Sequence, residues 1–187
     1  MKDITNKTKL TLLLIFWAII FLIAGMGMAK SDYMTYNMLY TQQLVNTAAG
    51  NYCRGDVTKI VVEKSKKTMI LYDDCNREVK SYKVRVGKNK GAKHCDGDKK
   101  TPEGTYHITE KRDSKYHKFL ALDYPQAKDL KKAKELGCYA GDSIGIHSWI
   151  EGLPKEGSLG CITVWTKEEI LEINSLVKVG TTVEILP

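Results

Sequence analysis

Ser158-Leu159-Gly160-Cys161-Ile162-Thr163 is the stretch on which the reading of this chain turns, and Gly145-Ile146-His147-Ser148 stands shortly before it. A thiol and an imidazole placed this way point to acyl transfer. The imidazole takes the thiol proton and carries it to a leaving amine, while the thiolate attacks a carbonyl and holds the acyl group as a thioester. Gly160 has no Cβ, which permits a sharp turn and close approach of substrate, and the N–H groups of Gly160 and Cys161 are candidate oxyanion donors. The competing reading of Cys161 is a small buried hydrophobe, the commonest fate of a free cysteine.

Working outward, four blocks follow one another in a recognisable order: Gly97-Asp98-Lys99-Lys100-Thr101-Pro102-Glu103-Gly104-Thr105-Tyr106, Ser143-Ile144-Gly145-Ile146-His147-Ser148, Ser158-Leu159-Gly160-Cys161-Ile162, and Gly180-Thr181-Thr182-Val183-Glu184-Ile185. Together they resemble the landmarks of the L,D-transpeptidase (YkuD-type) catalytic domain, over about residues 57–187. Ala121-Leu122-Asp123-Tyr124-Pro125 resembles in particular the murein transpeptidase subgroup that includes enzymes acting on wall-linked lipoprotein.

The resemblance implies a β-sandwich-like fold with Cys161 as nucleophile at a cleft, His147 as general base, no cofactor, and Ser148 orienting the imidazole through its carbonyl or hydroxyl. A local turn is the alternative role for Ser148. Ser158 reads as a substrate or loop contact. Two positions depart from the family pattern, which usually has His before Gly-Cys and Arg two residues after the Cys; here they are Leu159 and Thr163. Both replaced residues are commonly linked to substrate carboxylates, so the departure bears on the substrate more than on the chemistry.

The 187 residues hold one domain of ordinary size and an appendage. Residues 10–29 contain no charged side chain and have the length and apolarity of a membrane span. Lys2, Lys7 and Lys9 precede that run against Asp3 alone, so the N-terminus is expected in the cytoplasm and the remainder in the periplasm or at the cell surface. The run reads either as a retained anchor or, with Gly27-Met28-Ala29 as cleavage site, as a signal segment. Residues 30–56 are expected to be a juxtamembrane helix or linker.

The formal net charge is +7, of which residues 1–29 account for only two charges. Export argues against nucleic acid, and the remaining positive surface suits envelope polymers or the anionic membrane face, unless it is simply a solvated surface. Five cysteines suit an oxidising envelope in which four pair and one stays free. Cys53 and Cys75 flank the open end of an expected hairpin, which leaves Cys95 for Cys138 among three connectivities open to four cysteines. No C-x-x-C pair is present and His94-Cys95 is a lone neighbour pair, so no metal site is expected.

Short β-branched and aromatic runs over 57–63, 68–72 and 79–86 predict a meander, and 105–109 and 119–122 predict further strands. The Gly- and Lys-rich stretch 88–100 reads as a loop, and Thr101-Pro102-Glu103-Gly104 as a turn without chemistry. Ala127, Leu130, Ala133 and Leu136 have helical spacing, with Gly137 as cap. Thr166-Lys167-Glu168-Glu169 is a capping box opening a helix to about 177, between strands at 162–165 and 183–185. Trp149 and Trp165 flank the two catalytic blocks and read as cleft walls or as core.

The expectation is therefore a mainly β domain with two helices that passes a peptidoglycan stem peptide through a thioester to an amine. The implied donor is a tetrapeptide containing a diamino acid, and the acceptor is another stem or a wall-linked lipoprotein. The rivals are a hydrolase on the same scaffold and a non-catalytic wall-binding module.

Overall fold

Alternating side chains build the first strands. In β1 (Val57–Glu63) Ile60 and Val62 are fully buried between partly open neighbours, and β2 (Thr68–Asp73) buries Met69 and Leu71 in the same way. The chain is known from a computed structural model, which describes Thr35, residues 37–41 and residues 53–187. Six more strands follow: β3 (Glu78–Arg85), β4 (Gly104–Ser114), β5 (His117–Leu122), β6 (Gly145–Ser148), β7 (Ile162–Val164) and β8 (Thr182–Leu186). Helix α1 (Ala127–Glu135) lies between β5 and β6, and α2 (Lys167–Leu176) between β7 and β8.

The meander expected at the start is present as β1-β2-β3, and the strands close into a barrel in the order β1-β2-β3-β7-β6-β5-β4-β8. The β-rich domain with two helices thus takes the form of a closed sheet. Closure depends on two long strands that change partners midway. β4 pairs with β8 over Gly104–His107 and with β5 over Ile108–Ser114, while β3 passes from β2 to β7 at Val84. Two pairings are parallel, β1 with β8 and β6 with β7.

Helix α2 opens with the expected capping box. Thr166 Oγ1 accepts from Glu169 N–H at 3.2 Å, and the Glu169 carboxylate accepts from Thr166 N–H at 2.9 Å. Ile170 and Ile173 are wholly buried, and the helix packs on β5 and β6, behind the strand that carries His147. Helix α1 differs from the face read in the sequence. Only Ala133 is buried, while Leu130 and Leu136 remain largely exposed. Short and lying at the surface, it is held by Tyr106, whose hydroxyl donates to Asp129 at 3.0 Å, and by the disulfide just beyond its end.

Cys53 pairs with Cys75 and Cys95 with Cys138, leaving Cys161 free. The expected membrane segment, 1–29, lies outside the described residues, as does most of 30–56, of which Thr35 and residues 37–41 are helical. Among the described residues no helix is long and apolar enough to cross a membrane.

Candidate active site

Parallel pairing of β6 and β7 brings the two chemical blocks together. Ile146 stands beside Ile162 and His147 beside Thr163. Ile146, Ile162 and Val164 enter the core, while His147 and Thr163 line a cavity of about 460 Å³. Cys161, two positions before Thr163, lines the same cavity. Two strand positions are about 7 Å, a span that side chains on one face can bridge.

The nucleophile loop is held from several sides. Ser158 Oγ donates to the Cys161 carbonyl and accepts from Gly160 N–H at 3.1 Å, so Ser158 is a loop contact as well as part of the cavity wall. The Gly160 N–H is thus engaged within the loop rather than offered to an oxyanion. What Gly160 contributes is conformation. Its φ is +147°, and a Cβ there would lie 2.9 Å from Ile144 Cδ1 and 3.0 Å from the Lys100 carbonyl oxygen.

Thr101, read in the sequence as part of an inert turn, is fully buried beneath this loop. Its hydroxyl donates to the Gly160 carbonyl at 2.8 Å and accepts from Gly87 N–H at 2.7 Å. Below it Lys64 Nζ donates to the Thr101 carbonyl at 3.0 Å and the Gly91 carbonyl at 2.6 Å, and pairs with Glu103 at 2.7 Å. A lysine in a hairpin turn carries no sequence signal of burial, and only the recurrence of the Thr-Pro-Glu-Gly block hinted that these residues matter.

His147 is buried, with Tyr116 stacked 4.3 Å from it and Phe119 at 5.9 Å, centroid to centroid. Its Nδ1 lies 2.9 Å from the Ser148 carbonyl, which can only accept. The neutral ring therefore carries its proton on Nδ1 and keeps the Nε2 lone pair for a proton. Of the two orienting routes expected for Ser148, the carbonyl is the one present. The hydroxyl instead donates to the Tyr116 carbonyl at 2.8 Å and accepts from His117 Nδ1 at 2.8 Å, fixing the segment whose ring covers His147.

Both chemical groups are biased toward neutrality. Burial lowers the His147 pKa below its ordinary 6.5 and the nearby Arg85 charge adds to this, against the Ser148 carbonyl, which raises it. Burial pushes the Cys161 thiol up, opposed by the Gly145 N–H and by the charge of Lys93. These shifts favour the thiol and the neutral imidazole over an ion pair. Sγ lies 3.5 Å from the Ser143 carbonyl, the acceptor facing its proton.

Leu159 is exposed at the cavity rim, and Thr163 is buried in its wall. Trp149 lines the cavity, whereas Trp165 borders a neighbouring one. His94, His107 and His117 stand outside the lining, and 121–125 do too. Among the described residues no cluster of three His, Cys, Asp or Glu is placed to hold a metal.

A thiol and an oriented imidazole in one cavity on this barrel agree with the comparison by sequence: residues 58–185 match the model of the L,D-transpeptidase catalytic domain, YkuD. The chain belongs to that family. The L,D-transpeptidase catalytic domain accordingly accounts for most of the chain. Among solved structures it resembles Pgp2, the helical cell shape determining protein of Campylobacter jejuni, at 23% identity over 72% of this chain and 49% of that one, with a TM-score of 0.57. It also resembles Bd1075 of Bdellovibrio bacteriovorus, at 22% identity over 70% and 48% of the two chains, with a TM-score of 0.54. These likenesses concern the fold, and the chain spans about half the length of each relative. No curated protein matches the chain.

Proposed function

We propose that Cys161 attacks a peptide carbonyl of a peptidoglycan stem, forms a thioester, and passes the acyl group to an amine. His147 Nε2 takes the thiol proton as the sulfur attacks and delivers it to the departing amine. The Cys161 N–H is the oxyanion donor in this reading, since that of Gly160 is bound to Ser158. A thioester retains most of the free energy of the cleaved amide, which suits a compartment without ATP. The observation that carries the reading is the shared cavity of Cys161 and His147, with Nδ1 tied to the Ser148 carbonyl.

The site belongs in the cell envelope, outside the cytoplasmic membrane, with residues 10–29 as anchor or export signal. Two disulfides around a free cysteine support that compartment. The acceptor amine comes from a second stem or from a wall-linked lipoprotein, and wall organisation and cell shape are the processes it would serve.

The test incubates the chain with disaccharide tetrapeptide and follows products and intact mass, beside Cys161→Ala. Cross-linked dimers and an acyl adduct on Cys161 are expected, and both disappear in the variant. Shortened stems alone would replace transfer by hydrolysis. An inert Cys161 in a folded chain that still binds sacculi would replace catalysis by a binding role.

A further inference from the structure

Arg85, near the end of β3, is only 4% exposed, and among the described residues no carboxylate pairs with it. Its Nη1 donates to the carbonyls of Pro154 at 3.1 Å and Lys155 at 3.4 Å. Nε and Nη2 are buried without any hydrogen-bond partner. Those two nitrogens form the edge of a guanidinium that meets a carboxylate side-on with two parallel bonds. The ring of Trp165 lies 4.4 Å from the guanidinium carbon and that of Trp149 lies 5.4 Å away, both within cation–aromatic range.

A buried cation without an anion is costly, and a hydrophobic side chain of similar size would serve packing at least as well. Its position gives it another use. Arg85 lines the cavity that holds Cys161 and His147, and it stands in cross-strand register with Thr163, the position where the resembling family usually carries Arg. It also borders a second cavity of about 880 Å³, where Lys67, Lys88, Lys90 and Lys155 outnumber Glu156, Glu103 being paired with Lys64, and leave a positive charge that draws acidic ligands. Bidentate pairing, cation–aromatic contact and low dielectric together make a receptor for one anionic group.

We propose that Arg85 is the carboxylate-binding residue of this active site, its Nε–Nη2 edge receiving a carboxylate of the stem peptide and so selecting the acidic donor. The inference rests on the transpeptidase reading for the identity of the ligand. Two carboxylates of a stem tetrapeptide lie beside the bond attacked, one at its C-terminus and one on the diamino acid. Guanidinium on β3 takes the place of guanidinium on β7, so the recognition survives the Thr163 departure through a neighbouring strand. On this proposal the guanidinium turns its free edge into the cavity it already lines when the carboxylate binds.

Binding is measured by calorimetry with the full chain carrying Cys161→Ala, so that no turnover intervenes. Three peptides are compared: the free tetrapeptide, its C-terminal amide, and the peptide amidated at the diamino acid carboxylate. With Arg85 present, one of the two amides should bind roughly 30-fold more weakly than the free acid, and which one identifies the carboxylate. Adding Arg85→Met should abolish that discrimination, whereas Arg85→Lys should keep part of it. The Arg85→Met chain should melt no lower than the parent, because an unpaired buried charge has been removed.

Equal affinity for all three peptides, no measurable binding of any, or discrimination that survives Arg85→Met would each overturn the proposal. Failure of the transpeptidase reading looks different. In that case the chain with Cys161 intact would still prefer the free acid yet form neither adduct nor dimer.

Discussion

In the proposed reaction Cys161 and His147 act as a pair whose neutral forms are favoured by burial, and this has a measurable pH signature. Because the His147 pKa is lowered, the imidazole is already a base at neutral pH, and activity should fall only as pH drops below 6.5. The raised thiol has the opposite consequence for simple chemistry. Alkylation of Cys161 by iodoacetamide without substrate should be slow at pH 7 and climb about tenfold per pH unit without levelling before pH 9, the ordinary thiol value. A plateau near pH 6 would mean a preformed thiolate and overturn this account. Thr101 is the residue-scale brace: Thr101→Val leaves the Gly160 carbonyl and the Gly87 N–H unsatisfied in the interior. The expected loss is about 2 kcal/mol of stability, with kcat reduced about tenfold and KM little changed, and Thr101→Ser should restore most of both. Denaturant melts and steady-state kinetics check this.

At the scale of elements, the strands and helices were largely legible from periodicity. The alternation around Ile60 and Val62, the run at 119–122 and the Thr166 capping box all mark elements that form where the sequence places them. The apolar spacing of α1 was legible too, but its burial was not, because nothing in a nine-residue helix says which side the domain will cover. Helix α2 supports β6 from behind without lining the cavity, which separates stability from chemistry. Thr166→Ala should therefore cost about 1 kcal/mol in urea unfolding while leaving kcat unchanged. Gly160 belongs to the opposite class, since its φ and its two close neighbours tie the turn before β7 to the nucleophile.

For the molecule as a whole, the barrel is completed by contacts distant in sequence, and the loop 88–100 beside the site contains no helix or strand. Burial raises the Asp98 pKa, but the N–H groups of His94, Lys100 and Cys95 and the Lys93 ammonium outweigh it and hold the carboxyl below its usual range. The Cys95–Cys138 bridge ties this loop to the end of α1, and the Lys100 carbonyl it carries lies beside Gly160. Replacing both cysteines by Ser should lower stability by about 3 kcal/mol and reduce the rate of acylation of Cys161 by stem peptide, since the loop beneath the nucleophile is then less constrained. An unchanged acylation rate would show that the bridge serves stability alone. By itself the sequence determined the class of chemistry, the β-rich plan, the free cysteine and the positions of nearly every element, because these are written in local pattern and in residues that stand close together in the chain. Only the tertiary structure decided the closure of the barrel, the burial that favours the neutral forms of Cys161 and His147, the engagement of the Gly160 N–H, and the burial of Thr101, Lys64 and Arg85. Each of those depends on burial or on a partner from another strand, and neither distance across a fold nor access of water is encoded in the neighbours of a residue along the chain.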